Sequence, residues 1–424
     1  MLFRIAIAAL ASAAMQPVLA QANTDTLADD VEPRVITWRR HIHQNAELSF
    51  QEVKTAAYVA EALRAMPGIE VQTGIAKTGI KAVLKGGKPG RVVALRADMD
   101  ALPVEERNDL PFRSTARAMW QGKETGVMHA CGHDAHVAML LGAAEILSKV
   151  RAEIPGTVVF FFQPAEEGGG GAFLMVREGA MQNPKVDAVF GQHIGSRAPG
   201  SAIAYRRGSF MASADSFHVT VKGVGGHGGS PWSAKDPILT AAQIVTGLQA
   251  IVSRQADLSQ GAAVVTVGQI AGGNRDNIIP EQATLSGTIR TLNEPTRLQV
   301  HEAIERTAQK TAEAAGLTAE VKLTRGYPVL SNDPALTTRM LGALERATGP
   351  GRVVEIPPLL GAEDFGAFAR VAPGLFWFLN APPQDDLSGA PNHSPLFMIG
   401  EKHMKTGVKA LVNVALEYLT AAGK

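Results

Sequence analysis

Residues Thr157–Gln163 read TVVFFFQ, and the stretch Pro164–Ala172 that follows reads PAEEGGGGA. An unbroken apolar run rich in β-branched and aromatic side chains predicts a strand buried on both faces, as in a sheet covered by helices on each side. Pro164 ends the strand. The glycines beyond it leave two adjacent carboxylates, Glu166 and Glu167, where strand gives way to loop.

The same texture recurs outward from this point. IKAVL (Ile80–Leu84), RVVALRAD (Arg91–Asp98) and DAVFGQH (Asp187–His193) are further buried-strand patterns, and Ala135–Val150 has apolar residues at helical spacing. Upstream, Val35–Met66 reads as helix, interrupted near His43–Ala46 and stopped by Pro67-Gly68. Near the end come a helix at Pro334–Ala347, the strand LFWFL (Leu375–Leu379) and a helix at Lys402–Leu419. These pieces predict an α/β domain with a central sheet covered by helices.

The pattern changes in the middle of the chain. Ser216–Lys222 alternates as a strand, Pro237–Ser253 is helical, and Ala263–Gln269 and Ala283–Arg290 are strands. Glu294–Ala315 is a helix and Thr318–Leu323 a strand, which makes the order β-α-β-β-α-β, the ferredoxin-like α+β unit. We read residues 212–326 as this smaller domain, inserted into an α/β domain made of 21–211 and 327–424.

A chain of 424 residues is too long for a single hydrophobic core, which agrees with two domains. At 46% hydrophobic residues it is not a disordered chain, and a net charge of +1 offers no basic surface for nucleic acid. With only one cysteine, Cys131, an intramolecular disulfide and a multi-thiolate metal site are both excluded. At the start, Arg4, the apolar run Ile5–Met15 and small residues up to Ala20 and Ala22 have the layout of a secretory signal peptide. The expectation is a leader of residues 1–20, cleaved after Ala20 or Ala22, and a periplasmic or secreted product without a membrane anchor.

Chemistry gathers at a few places. In MHACGHDAH, Cys131 and His133 stand two positions apart, so on an extended chain they point the same way and can meet one metal centre. Of the adjacent pair Glu166–Glu167, one carboxylate can bind metal while the other handles a proton, the division that metal-assisted hydrolysis needs. His193 ends the strand DAVFGQH, and His393 lies in PNHSP after the strand LFWFL. Glu166, Glu167 and His193 are predicted at carboxyl ends of strands and His393 beyond another, where open α/β sheets collect their ligands. One thiolate, one carboxylate and three imidazoles suit two divalent ions: Zn²⁺ or Mn²⁺, with Co²⁺ and Ni²⁺ as alternatives.

These residues fall in a longer series: RRHIHQNAELSFQE, RADMDALPVEE, MHACGHD, QPAEEG, GQHI, GGHGGSP, NIIP, GTIRT, GAEDF and NHSP. From about Arg34 to Leu419 the series resembles the metal-dependent aminoacylase/carboxypeptidase superfamily. It is most similar to the branch of hippurate hydrolases, N-acyl-L-amino-acid amidohydrolases and indole-acetyl-amino-acid hydrolases. The resemblance implies that Cys131, His133, Glu167, His193 and His393 hold the metals and that Glu166 is the general base. It implies that His227 of GGHGGSP polarises the scissile carbonyl, and that Asn277 and Arg290 hold the substrate, the arginine on its carboxylate. It also implies a homodimer or homotetramer formed through the inserted domain.

Two positions depart from the family pattern. Ala46 stands where relatives usually carry Pro, and RADMD lacks the histidine of the peptidases' H-x-D motif. That absence, with Cys131 present, favours amidohydrolases over di- and tripeptidases and makes Asp98 and Asp100 supports of the site rather than ligands. The expected activity is hydrolysis of an N-acyl-L-amino acid, hippurate-like or an N-acetyl or aromatic-acyl conjugate, to a carboxylic acid and a free amino acid. A carboxypeptidase or dipeptidase on the same scaffold is the alternative. A non-catalytic periplasmic binder is a third reading, but it has no use for a base beside a metal ligand.

Overall fold

The computed structural model describes residues 8–384 and 389–421. The charged start of the expected leader, Arg4 included, lies outside the described residues. From Ala8 the backbone is a continuous helix to Gln44 that Pro17 does not interrupt. The helix expected from Val35 therefore begins much earlier, and the predicted interruption is its true end. Val53–Arg64 is a separate helix.

The chain divides into two compact units, one of residues up to Gly208 with Asn332–Ile356 and everything from Ala367, the other of Ser209–Ser331 with Pro357–Gly366. The second unit is wider than the expected 212–326. Residues 357–366, expected with the catalytic domain, belong to it because the Ala212 N–H donates to the carbonyls of Leu359 and Gly361 and the Leu359 N–H to that of Phe210.

The first unit is built on an eight-stranded sheet. Its order is Ile69–Ile75, Gly79–Lys85, Pro155–Gln163, Lys88–Asp98, Ala188–Gly195, Gly374–Asn380, Ile203–Tyr205 and Val353–Glu355. The four central strands from Pro155–Gln163 to Gly374–Asn380 run parallel, and both flanks contain antiparallel pairs. The parallel strands are the unbroken apolar runs of the sequence. Phe160, Phe161, Phe162, Phe190 and Trp377 are fully buried because helices cover both faces.

Helix His133–Lys149 is apolar on almost every side and packs against Ala8–Gln44, Met404–Thr420 and the sheet. A side chain at Gly142 would put its Cβ 2.7 Å from Val35 and 3.0 Å from Val408, so the glycine permits the close approach of three helices. This buried helix begins at a predicted metal ligand, which ties the site to the core.

The second unit is a four-stranded antiparallel sheet, in the order Ala263–Gly272, Gln282–Thr291, Ala214–Lys222, Thr318–Tyr327. Helices Pro237–Ala250 and Glu294–Ala314 bury the face bearing Phe217, Val219, Val221, Leu285 and Ile289. Pro at the first turn and the side chains of Asp236 and Asn293 start these helices. Beneath them Asp215 takes a bidentate bond from Arg297, at 2.7 and 2.6 Å, and a third from His301 at 2.8 Å.

Candidate metal centre and active site

Parallel alignment of the four central strands brings four carboxyl ends side by side, and the chemistry lies there. Pro155–Gln163 leads into Glu166 and Glu167, Lys88–Asp98 into Asp100, and Ala188–Gly195 carries His193 near its end. His193 stands opposite Phe378 of the last parallel strand.

Cys131 and His133 reach the site differently from the expectation. Gly132 between them has φ +91° and precedes the first turn of helix His133–Lys149, so the segment is a left-handed turn into a helix rather than an extended chain. A Cβ at Gly132 would also come within 2.3 Å of the Ile194 side chain. The turn still brings thiol and imidazole together.

Ligand-capable atoms of Cys131, His133 and His193 converge within 4.8 Å of one another, and so do those of Cys131, Glu167 and His393. A third such group is His133, Glu166 and Glu167. All five predicted ligands and the predicted base are thus assembled, with Cys131 common to two of the groups.

Whether these groups suit a metal is tested by how their polar atoms are satisfied. His133 Nδ1 donates to the Asp100 carbonyl at 2.8 Å, and its buried Nε2 has no hydrogen-bond partner among the described residues. His193 Nδ1 likewise donates to the Ile194 carbonyl at 2.9 Å, which turns Nε2 toward Cys131 Sγ at 3.3 Å. A backbone carbonyl on Nδ1 fixes the tautomer and leaves the other nitrogen as ligand, the usual arrangement behind metal-bound histidines.

The charge balance points the same way. Burial opposes a charged His133, but Asp98, Asp100 and Cys131 together raise its pKa well above that of a free imidazole. Hydrogen bonding to Cys131 and then to Glu167, 3.2 Å away, raises His393 to about 10. The ring of acidic groups calls for positive charge, which protons or metal ions supply. The donor set fits divalent metal.

Several supporting residues escape motif reading. His136 belongs to a further convergent group with Asp98 and His133, yet its nitrogens are both used. Nδ1 meets Asp98 Oδ1 at 2.5 Å, and Nε2 accepts the Ile194 N–H at 2.8 Å. Asp98 is also bound by Arg96 at 2.8 Å. Asn392 donates to the carbonyls of Cys131 and Ile194, and the adjacent His393 is held at φ +69° by its N–H bond to Ala130 O. Asp100 presents its carbonyl to His133 and Asp98 its carboxylate to His136 and Arg96, while Asp98 also stands in one of the convergent groups.

The remaining predicted residues lie in the second unit. Gly226–His227 pairs with Ile278–Ile279, and the Gly228 N–H bonds Asn277 O at 2.9 Å, which brings His227 and Asn277 together. His227 is exposed; its Nδ1 accepts the Gly229 N–H at 2.9 Å, so in the neutral ring the hydrogen lies on Nε2. Arg290 sits elsewhere, on strand Gln282–Thr291, half-buried. Its guanidinium bonds the Ile289 carbonyl and has no carboxylate partner among the described residues.

The sequence profile of peptidase family M20/M25/M40 matches residues 94–417. The chain belongs to this family. Among M20 relatives, thermostable carboxypeptidase 2 of Saccharolobus solfataricus is 42% identical over 393 residues, 92% of this chain and 96% of the relative. The N-acyl-L-amino acid amidohydrolase of Geobacillus stearothermophilus is 44% identical over 309 residues, 72% of this chain and 80% of the relative. Among solved structures, the Bacillus subtilis YXEP protein, described as a dinuclear metal binding peptidase from the M20 family, superposes with a TM-score of 0.80. That match has 34% identity and covers 93% of this chain and 99% of the other. The protein is accordingly an M20 hydrolase with the α/β fold and inserted smaller unit read from its sequence.

Proposed function

We propose that this M20 hydrolase cleaves the amide bond of N-acyl-L-amino acids, releasing a carboxylic acid and a free amino acid. The observation that carries the reading is the convergence of Cys131, His133, Glu167, His193 and His393 beside a second carboxylate, Glu166. The five would hold two divalent ions, Zn²⁺ or Mn²⁺ in the first place. Bound ions would supply Lewis acidity, which can bring the pKa of water to about 7 and polarise a carbonyl.

The chain's own residues do the rest. Glu166 accepts a proton from the attacking water and delivers it to the departing nitrogen. His227 carries its ring hydrogen on Nε2, the form needed to donate to a carbonyl oxygen as negative charge develops there. Arg290, free of carboxylate partners among the described residues, suits the substrate's carboxylate, and Asn277 beside His227 helps to hold it.

The decisive experiment is turnover of an N-benzoyl or N-acetyl amino acid against the matched dipeptide with a free α-amine, after stripping and reloading the metal. Preference for the acyl amino acid supports the reading. Preference for the dipeptide supports the carboxypeptidase reading that the Saccharolobus relative's name favours. Comparing the acid with its α-carboxamide in wild type and Arg290→Ala tests the arginine: the variant should lose most of the wild type's preference for the acid.

The second unit exposes Val224, Trp232, Ile238, Leu239, Ile270 and Ile278, which supports association of copies through it; light scattering of wild type and Trp232→Glu would test this. The leader-like start supports export, and a mature protein beginning at Gln21 or Asn23 would be the expected result of N-terminal sequencing.

A further inference from the structure

The turn that carries Glu166 and Glu167 is gripped from behind. Glu166 N–H donates to Asp100 Oδ1 at 2.9 Å and Glu167 N–H to Asp100 Oδ2 at 3.0 Å. The preceding Ala165 N–H donates to Glu52 Oε1 at 2.9 Å. Two carboxylates therefore take three consecutive peptide N–H groups. Ala165 has φ +54°, a left-handed conformation that a residue with a Cβ adopts only when its surroundings hold it there.

Glu52 is placed for this work and no other visible one. It stands at the N-terminus of helix Val53–Arg64 but makes no side-chain cap bond to it. Glu47 does that instead, accepting from Lys54 N–H, Thr55 N–H and the Thr55 hydroxyl. Released from capping, the fully buried Glu52 carboxylate turns inward, with Oε2 held by the Thr78 hydroxyl at 2.6 Å. Within the ELSFQE run that begins at Glu47, Ser49 donates to Asp100 Oδ2 at 2.6 Å, and the Ala101 N–H bonds Glu47 O at 2.8 Å. The short segment thus braces both halves of the grip. Glu52 is absent from every convergent ligand group among the described residues, and both its oxygens are taken by Ala165 and Thr78.

We propose that Glu52 is a positioning residue of the active site, closing with Asp100 a carboxylate clamp on residues 165–167 that sets the directions of Glu166 and Glu167. The inference rests on the assignment of those two glutamates as base and ligand. Without Glu52, Ala165 relaxes out of its left-handed conformation, the peptide planes on either side rotate, and both side chains leave their positions. The substitution Glu52→Gln keeps an oxygen for the Ala165 N–H without the charge, and the Thr78 hydroxyl can turn to accept from the new amide.

The test measures Zn²⁺ affinity by competition with a chromogenic chelator, alongside kcat and KM, for wild type, Glu52→Ala and Glu52→Gln. Glu52→Ala should bind Zn²⁺ at least about tenfold more weakly and lose kcat by about 10–100-fold, with KM within about threefold. Glu52→Gln should restore both to within about threefold of wild type. A folded Glu52→Ala that binds Zn²⁺ as wild type does and turns over normally overturns the proposal. Should that variant fail to fold, Thr78→Val, which removes the other hold on Glu52, decides: unchanged affinity and kcat overturn the clamp, and a joint loss supports it. If wild type does not cleave acyl amino acids, the functional reading fails while the Zn²⁺ comparison still tests the clamp.

Discussion

His136 Nε2 accepts the backbone N–H of Ile194 at 2.8 Å. With Nδ1 bound to Asp98, the ring has no lone pair left for a metal, although it lies within ligand distance of His133. Histidines in one cluster thus have separate duties, settled by what each nitrogen already touches. His133→Asn should lose bound metal, as counted by elemental analysis. His136→Asn, which removes a support behind His193 and no donor, should keep most of its metal and lose part of its activity. Equal metal loss in both would put His136 among the ligands.

The adjacent glutamates should separate cleanly. Glu166→Gln keeps its metal content and loses kcat by at least about 10²–10⁴-fold, because a proton acceptor is gone while the donor set stands. Glu167→Gln binds metal more weakly. The reverse pattern, read from metal content and kcat together, would exchange the roles.

Glu52 makes a prediction in pH. Burial first, and then the nearby Asp100 charge, push its carboxyl up to about 7. The folded protein therefore holds a proton that the unfolded chain releases near 4.5, and stability falls as pH rises between these values. Gln at this position carries no such cost. In metal-stripped protein Glu52→Gln should be more stable than wild type at pH 8, by roughly 2–3 kcal/mol, and the difference should vanish by about pH 4. Denaturant melts at the two pH values decide it; a variant less stable at pH 8 would contradict the assignment.

In the second unit, Asp215 carries the opposite sign. Burial works against its charge, but Arg297, His301 and the Gly326 N–H hold it ionised well below the usual carboxylate range. Its contribution is present above about pH 4 and is lost as pH falls further. Asp215→Ala leaves a buried guanidinium unpaired and should cost about 3–5 kcal/mol at pH 7, measured by chemical denaturation. Below pH 3 the gap to wild type should narrow. A variant within about 1 kcal/mol of wild type at pH 7 would mean that solvent replaces the carboxylate.

Much of this is legible in the sequence, for physical reasons. A strand sandwiched between helices has no polar face, so TVVFFFQ and LFWFL announce themselves, and their ends mark where ligands gather. Alternation in Ser216–Lys222 exposes the change of architecture equally well. The hairpin Arg117–Trp120 with Lys123–Gly126 went unread because it is short, largely exposed and has no apolar face to signal it. Cys131 and His133 converge through a turn where their spacing suggests an extended chain, since periodicity is blind to a left-handed glycine. Glu52, Asp100 and Asn392 act through backbone groups of distant segments, and such bonds leave no spacing in the sequence. Residues 357–366 joined the second unit through backbone bonds for the same reason.

The pairing of His193 with Phe378 has a consequence in time. A chain made from its N-terminus presents Cys131, His133, Glu167 and His193 long before the strand Gly374–Asn380 that walls the last of them, and His393 comes later still. The whole second unit is synthesised in between. On the proposed ligand set, the nascent chain would hold four of the five donors until the tail arrives. Capture of metal by all five donors would then belong to the end of biogenesis.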